Sequence, residues 1–148
     1  YFFEAGNDLM THCRNSGVRL ACVMIDIDFF KKVNDAYGHD VGDLVIKSMA
    51  QMLREDAGKH DIVARIGGEE FCILIPVATK QEVVARFETL RQRVEKTPVA
   101  MQKDKKSIFI TASIGICSEV LDSLEAMMKT ADERLYKAKG GGRNRVEI

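Results

Sequence analysis

Two apolar runs, Ile62-Val63-Ala64 and Phe71-Cys72-Ile73-Leu74-Ile75, are separated by Arg65-Ile66-Gly67-Gly68-Glu69-Glu70, and this interruption constrains the fold more than any other feature of the chain. Short apolar runs on either side of a glycine pair predict a β-hairpin, with Gly-Gly supplying the positive φ angles of a tight connection. A main chain without side-chain cover also lets a bulky group approach closely. Glu69 and Glu70 put acceptor-only oxygens beside that spot, a combination suited to a nucleotide phosphate bridged by a hard cation. Standing alone, the same stretch reads as an ordinary turn with two solvated acids. A second acidic site upstream tips the reading toward chemistry.

The chain has 148 residues, 46% hydrophobic and 30% charged, enough for one well-buried core and hence a single domain over 1–148. Its 22 basic and 22 acidic residues balance, so the total charge points to neither a nucleic acid nor a membrane surface as partner. Cys13, Cys22, Cys72 and Cys117 form no Cys-x-x-Cys pair, and the last three fall in apolar strand-like runs, which favours a reducing compartment. No signal-peptide pattern or membrane-length apolar run is present. A soluble, cytoplasmic domain is expected, with any membrane anchor of a longer parent protein outside this stretch.

Tyr1 to Gly17 is weakly helical, and Val18 to Ile27 is a near-continuous apolar run of the kind found in buried central strands. Val41 to Ala57 follows helical spacing, with Gly58 as a stop. Strands are expected at Ile62 to Ile66 and Phe71 to Ile75, with Pro76 ending the second and Val77 and Ala78 in a loop. Thr79 with Glu82 forms a capping-box pattern for a helix reaching Glu95. Thr97-Pro98 breaks it, Gln102 to Lys106 is a charged turn, and Ser107 to Cys117 alternates as one strand. Leu121 to Lys139 predicts a last helix whose buried stripe is Leu124, Met127, Met128, Ala131, Leu135 and Tyr136, and Arg145 to Ile148 an edge strand. The order β-α-β-β-α-β defines an α+β fold with a ferredoxin-like split βαβ core, its antiparallel-rich sheet carrying helices on one face.

In that topology the first strand and the hairpin are neighbours, so Asp26 and Asp28 approach Glu69 and Glu70. Carboxylates converging from separate segments repel unless a cation lies between them, and Mg²⁺ suits an oxygen-only set shared with phosphates and water. A calcium loop is excluded because Phe30, Lys31 and Tyr37 occupy the positions where it needs a ligand, a glycine and an acid. His12, His39 and His60 share no zinc-ligand spacing. Between Asp26 and Asp43, a helix-then-loop can display Asn34 with Asp43. An amide and a carboxylate together can read a guanine edge, although each alone is more often a turn or cap residue. Lys31 can approach a phosphate as a mobile point charge, or simply be solvated.

Asp26-Ile27-Asp28-Phe29-Phe30-Lys31-Lys32-Val33-Asn34-Asp35, together with Asp43 and Gly67-Gly68-Glu69-Glu70-Phe71, resembles the GGDEF-domain family of diguanylate cyclase catalytic domains, in its GGEEF form. A third stretch, Ala131-Asp132-Glu133-Arg134-Leu135-Tyr136-Lys137-Ala138-Lys139 followed by Gly142-Arg143-Asn144, extends the resemblance from Val18 to Asn144. It implies a nucleotide cyclase, polymerase-palm-like domain that joins two GTP molecules head to tail into cyclic di-GMP with release of pyrophosphate. By resemblance, Asp26, the Ile27 carbonyl and Glu69 would hold Mg²⁺, with Mn²⁺ as a substitute. Glu69, with Glu70 beside it, would help deprotonate the attacking hydroxyl, and Lys31 would stabilise charge on the phosphates. Asn34 and Asp43 would read guanine with His39 at the nucleoside. Gly67, Gly68 and the amides of Phe29 and Phe30 would approach the nucleotide, and Lys139 and Arg143 its terminal phosphates. A transient homodimer is implied, because each domain would hold one GTP.

Two departures accompany the resemblance. The family's Asp-x-Leu-Thr-Gly-Leu-x-Asn-Arg-Arg stretch is not in this sequence, which predicts a fragment of a larger protein with an N-terminal sensor or regulatory domain. The family's inhibitory product site, Arg-x-x-Asp, keeps Asp61 but has Gly58 at the arginine position, so a non-functional inhibitory site is expected. The alternative to an active cyclase is a silent module that binds GTP or cyclic di-GMP as a signalling receptor. A cyclase or polymerase-palm relative acting on another nucleotide would share the acids but not the guanine-reading pair.

Overall fold

The protein is described by a computed structural model covering residues 1–77, 79–101 and 106–148. Its centre is β1 (Arg19–Ile27), eight of whose nine residues are buried. A strand buried on both faces needs apolar residues at odd and even positions alike, which explains the unbroken run in the sequence. Ala21, Val23, Ile25 and Ile27 face one core, and Leu20, Cys22 and Met24 face the other.

Helix α1 (Phe2–Ser16) precedes β1 and ends at Gly17, which adopts φ 70° and donates its N–H to the Cys13 carbonyl. Two helices follow β1, α2 (Phe30–Tyr37) and α3 (His39–Asp56), hinged at Gly38 with φ 91°. The helix-then-loop expected to carry Asn34 and Asp43 is therefore a helix pair, and α3 ends at Ala57 in extended geometry rather than at Gly58. β2 (Ile62–Arg65) and β3 (Glu70–Val77) form the hairpin. Pro76 does not end β3 but sits within it opposite Leu20, and Val77 is strand rather than loop. The physical reason is that β2 reaches only to Leu74, so β3 is an edge strand at Pro76 and tolerates the missing N–H.

Thr79 caps α4 (Lys80–Lys96), accepting the Glu82 N–H through its side chain. The expected strand from Ser107 to Cys117 is two strands. β5 (Ser107–Ile108) pairs with β4 (Val99–Ala100) in a separate ribbon, and β6 (Ala112–Cys117) enters the main sheet. The alternation nonetheless identified the facing residues, since Ile108, Ile110, Ala112, Ile114 and Ile116 all join one core. Ala78 and Gln102 to Lys105, expected in loops, lie outside the described residues. α5 (Leu124–Gly140) buries Leu124, Met127, Ala131, Leu135 and Ala138, but Tyr136 is 78% exposed, because one residue beyond Leu135 the helix has turned 100° away from the core. β7 (Arg145–Glu147) closes the sheet parallel to β6.

The sheet order is β2-β3-β1-β6-β7, with β1 antiparallel to both neighbours. This is the α+β split βαβ arrangement, with one correction: helices cover both faces. α3 and α4 pack on one side through Val45, Met49, Leu53, Val83, Phe87 and Leu90. α1 and α5 cover the other through Met10, Cys13, Leu124, Met127 and Leu135. No helix among the described residues is long and apolar enough to cross a membrane.

α5 approaches the sheet closely at Gly115. A Cβ there would lie 2.2 Å from both the Ala131 carbonyl oxygen and the Leu135 amide nitrogen, main-chain atoms that no rotamer change can move. Gly115→Ala should therefore lower stability by about 3 kcal/mol through forced separation of α5 from the sheet. Thermal unfolding by circular dichroism measures this, and a midpoint within a degree or so of wild type would contradict it.

Candidate functional site

β1 ends where it meets both neighbours, with Asp26 opposite Glu70 on β3 and Ser113 on β6. Just beyond, the Ile27 N–H donates to the Glu69 carbonyl at 3.2 Å. Among the described residues the Glu69 amide makes no return bond to the Ile27 carbonyl, so that oxygen lacks its ladder partner. The hairpin thus places half-buried Glu69 and Glu70 beside Asp26, as expected. The turn itself differs from expectation. Its loop runs from Ile66 to Glu69, and neither Gly67 nor Gly68 has a positive φ. A wider loop needs no left-handed pair. It is braced instead by the Arg65 Nε–H, which donates to the Gly67 and Gly68 carbonyls at 3.2 and 3.0 Å. A side chain on Gly68 would meet nothing within 4 Å, so the main chain there is open to a ligand.

Asp26 is only 4% exposed. The Lys139 Nζ, in the last turn of α5, donates to its Oδ2 at 2.5 Å. Burial is the largest influence on this carboxyl and raises its pKa; Lys139 pulls the other way, Glu69 and Glu70 add to the rise, and the result is about 6. Asp28 is equally buried but has different work. Its carboxylate accepts from Thr111 Oγ1 at 2.7 Å, Ser113 Oγ at 2.6 Å and the Asn144 N–H at 2.9 Å. These bonds tie the ends of β1 and β6 to the turn after α5. Among the described residues, no three acidic, histidine or cysteine side chains are grouped closely enough to enclose a metal ion by themselves.

Phe29, in left-handed geometry at φ 58°, turns the chain from β1 into α2. Phe30 and Lys31 open that helix with Lys31 exposed, and its next turn carries Asn34. The Asn34 Oδ1 is buried without a hydrogen-bond partner. It fits against Gly42, where a Cβ would stand 1.9 Å from that oxygen. Exposed His39 and Asp43 lie on the first turns of α3, Asp43 being next to Gly42. Arg143 follows α5 at φ 65° and places its guanidinium carbon 4.8 Å from the Phe29 ring centre. The structure therefore groups Asp26, Glu69, Glu70 and Lys139 at the strand end, Asn34 with Gly42 and Asp43 at the helix pair, and Phe29 with Arg143 between β1 and α5.

Gly58 and Asp61 lie away from these groups. Asp61 Oδ2 accepts the Gly58 N–H at 2.7 Å and pairs with Arg86 Nη2 at 2.7 Å, while the Arg86 Nε pairs with Asp56 at 2.8 Å. Arg86, on α4, was not anticipated from the sequence, since nothing local to it signals a long-range partner. Lys32 was also passed over; its ammonium lies 4.7 Å from the Phe29 ring centre.

A buried acid paired with a half-buried lysine at the end of a ferredoxin-like sheet, beside an uncovered glycine loop and a buried unpartnered amide oxygen, marks the candidate site of an α+β domain. The family profile described as diguanylate cyclase, GGDEF domain, matches residues 1–145, and the chain belongs to that family. Diguanylate cyclase A of Treponema denticola is 37% identical across the whole chain, which spans 41% of that protein. The response regulator PleD of Caulobacter vibrioides is 35% identical over 95% of the chain and 31% of its own length. Among solved structures, the GGDEF domain of DgcB from Caulobacter crescentus in complex with c-di-GMP superposes with a TM-score of 0.93 at 31% identity, over 99% of this chain and 84% of that one. The chain thus spans well under half the length of these two curated relatives.

The raised pKa of Asp26 has a thermodynamic consequence. The folded chain binds this proton more tightly than an unfolded aspartate does, so the associated stability is complete below about pH 4 and is lost as pH rises through about 6. Asp26→Asn keeps the group neutral. At pH 7.5 without divalent metal, the variant should be more stable than wild type by about 1–3 kcal/mol, the difference closing toward pH 4. Urea denaturation across that range measures it, and a difference that does not shrink on acidification would overturn the assignment.

Proposed function

We propose that this domain is a diguanylate cyclase that condenses two GTP molecules into cyclic di-GMP and two pyrophosphates, each domain holding one GTP and two domains facing each other for turnover. The observation that carries the reading is the cross-strand placement of Asp26 beside Glu70 and Glu69, with a lysine ammonium on the buried carboxylate. Such a cluster of like charges at an open main-chain loop has a use when a polyphosphate with a counter-cation comes to it.

The donor set fits Mg²⁺. Asp26, Glu69 and the Ile27 carbonyl, which lacks a ladder partner, would supply part of an oxygen shell, the rest being left to water and phosphate; Mn²⁺ would suit the same donors. When bound, the ion would neutralise charge on the triphosphate and polarise its α-phosphorus. The remaining work falls to the chain. Glu69, with Glu70 adjacent, would take the proton from a 3′-hydroxyl as its oxygen bonds to the α-phosphorus of the facing GTP and the bond to pyrophosphate breaks. Lys31, Lys139 and Arg143 would hold the phosphates, and the amides of Phe29 and Phe30 with the open main chain at Gly67 and Gly68 would line them. Asn34 and Asp43 would read guanine, the unpartnered Asn34 oxygen awaiting a donor that adenine does not offer in the same place, with His39 at the nucleoside. A cytoplasmic setting accords with four buried cysteines that form no disulfide.

The direct test is incubation with GTP and Mg²⁺ and chromatographic separation of products. Activity per molecule should rise with protein concentration, and Asp26→Ala or Glu69→Ala should abolish it while preserving the fold. A specific activity that stays flat on dilution would defeat the two-half-sites reading, and a variant with wild-type turnover would discard the acid assignment.

Gly42→Ala tests guanine reading without touching a charged group. The new methyl must displace the far end of the Asn34 side chain and nudge the edge of the Phe30 ring, both side-chain atoms, so the fold should survive while the preference for GTP over ATP falls by about tenfold. Calorimetric affinities for the two nucleotides decide this; an unchanged ratio would remove Asn34 from base selection.

We also infer that the surface at Gly58 and Asp61 is not a working inhibitory site. Asp61 is already satisfied by Arg86 and the Gly58 amide, and Arg86 is divided between Asp61 and Asp56, which supports this reading. Cyclic di-GMP should then inhibit only in competition with GTP. Initial rates at several GTP concentrations test it: inhibition that persists at saturating GTP and disappears in Asp61→Ala would prove it wrong.

A further inference from the structure

The non-glycine residues with positive φ among the described residues are Phe29 (58°), Arg143 (65°) and Asn144 (48°), and they meet at one place. Left-handed backbone in such residues is unfavourable and persists only where the surroundings enforce it, a situation that concentrates at ligand sites. Here the enforcement is visible. The Asn144 N–H is held by buried Asp28, its Oδ1 accepts from Arg91 Nη1 at 2.8 Å, and its Nδ2 donates to Glu95 Oε2 at 2.9 Å. The Arg143 N–H donates to the Ala138 carbonyl at 2.9 Å. The turn after α5 is thus clamped so that Arg143 lies over Phe29.

The Phe29 ring is 50% exposed and joins neither core. Burial therefore does not account for an aromatic side chain at a strained position. Its contacts are cationic: the Lys32 ammonium lies 4.7 Å and the Arg143 guanidinium carbon 4.8 Å from its centre. Neither cation has a carboxylate partner among the described residues. Two like charges drawn to one ring without a counter-ion create a local positive field that an anion would relieve.

We propose that the Phe29 side chain is a positioning platform that holds Arg143 and Lys32 for the outermost phosphates of the nucleotide, and that Lys32 is a phosphate contact additional to Lys31, Lys139 and Arg143. The inference rests on the cyclase reading and concerns the same site. The ring fixes two otherwise mobile side chains in advance, so less freedom is lost when a triphosphate binds. The platform acts on the outer phosphates alone; base and sugar are held elsewhere.

That separation supplies the test. Calorimetry with GTP, supplied as the 3′-deoxy analogue that lacks the attacking hydroxyl, and with GMP, in the presence of Mg²⁺, gives the ratio of the two affinities for wild type, Phe29→Leu, Phe29→Trp and Lys32→Met. Phe29→Leu should weaken GTP binding about three- to tenfold and leave GMP unchanged, Phe29→Trp should restore the wild-type ratio, and Lys32→Met should lower it about threefold. Lys32 is exposed, so its variant keeps the test valid even if Phe29→Leu folds poorly. A GTP to GMP ratio unaltered in Phe29→Leu and Lys32→Met, with wild type binding GTP normally, would overturn this inference and leave the cyclase reading standing. Failure of wild type to bind GTP would overturn both.

Discussion

Burial of β1 on both faces is the constraint on which the rest of the molecule depends. Because Leu20 to Ile25 is apolar at every position, the strand lies mid-sheet between two helical layers, with β3 and β6 as its neighbours. The first polar side chain along it, Asp26, then arrives at the end of the sheet with nowhere to hydrate. Lys139 from α5 answers that requirement with opposite charge, while the hairpin acids across the strand pair work against it. Removing a charge from water is costly enough that such a cluster is poor design for stability alone.

Much of this was legible in the sequence because it is written in local patterns. The apolar run of β1, the helical spacing of α3 and α4 and the interruption at Gly67-Gly68 each declare an element within a few residues. The grouping of Asp26 with Glu69 and Glu70 followed from topology, since a split βαβ order makes β1 and β3 neighbours. What escaped was set by relations between distant segments. The second helical layer is implied by the apolar residues at both even and odd positions of β1, but the β-α-β-β-α-β order alone points to helices on one side. The break between β5 and β6 falls within a continuous alternating pattern, because Ile110 stays buried while the chain changes sheet. Arg86 carries no local mark, since a charged residue on a helix face is ordinarily solvated and only the fold brings Asp61 to it; Lys32 lies just three residues after Phe29, but a lysine at that spacing on an exposed helix face is ordinarily solvated too.

The glycine loop shows how a right expectation can rest on the wrong geometry. Gly67 and Gly68 supply no left-handed angles; the positive-φ glycines among the described residues are Gly17, Gly38 and Gly142. At Gly67 and Gly68 what matters is the missing side chain. Arg65 holds their carbonyls from one side, and the other side of Gly68 is open.

Strain and electrostatics converge in the connections that leave the sheet. Asp28 is as buried as Asp26, but three donors satisfy it, so it behaves as a fixed joint binding β1, β6 and the turn after α5. Asp26, two residues earlier, has a single lysine as partner; burial raises its proton affinity, Lys139 opposes the rise, and Glu69 and Glu70 add to it. Two aspartates of equal burial are thereby assigned opposite tasks by their surroundings. The satisfied one supplies the rigidity that holds Arg143 and Asn144 in left-handed backbone, and the unsatisfied one supplies the charge imbalance that a bound ligand can relieve. β1 delivers both from one strand end because Asp26 and Asp28 lie on the same side of the sheet.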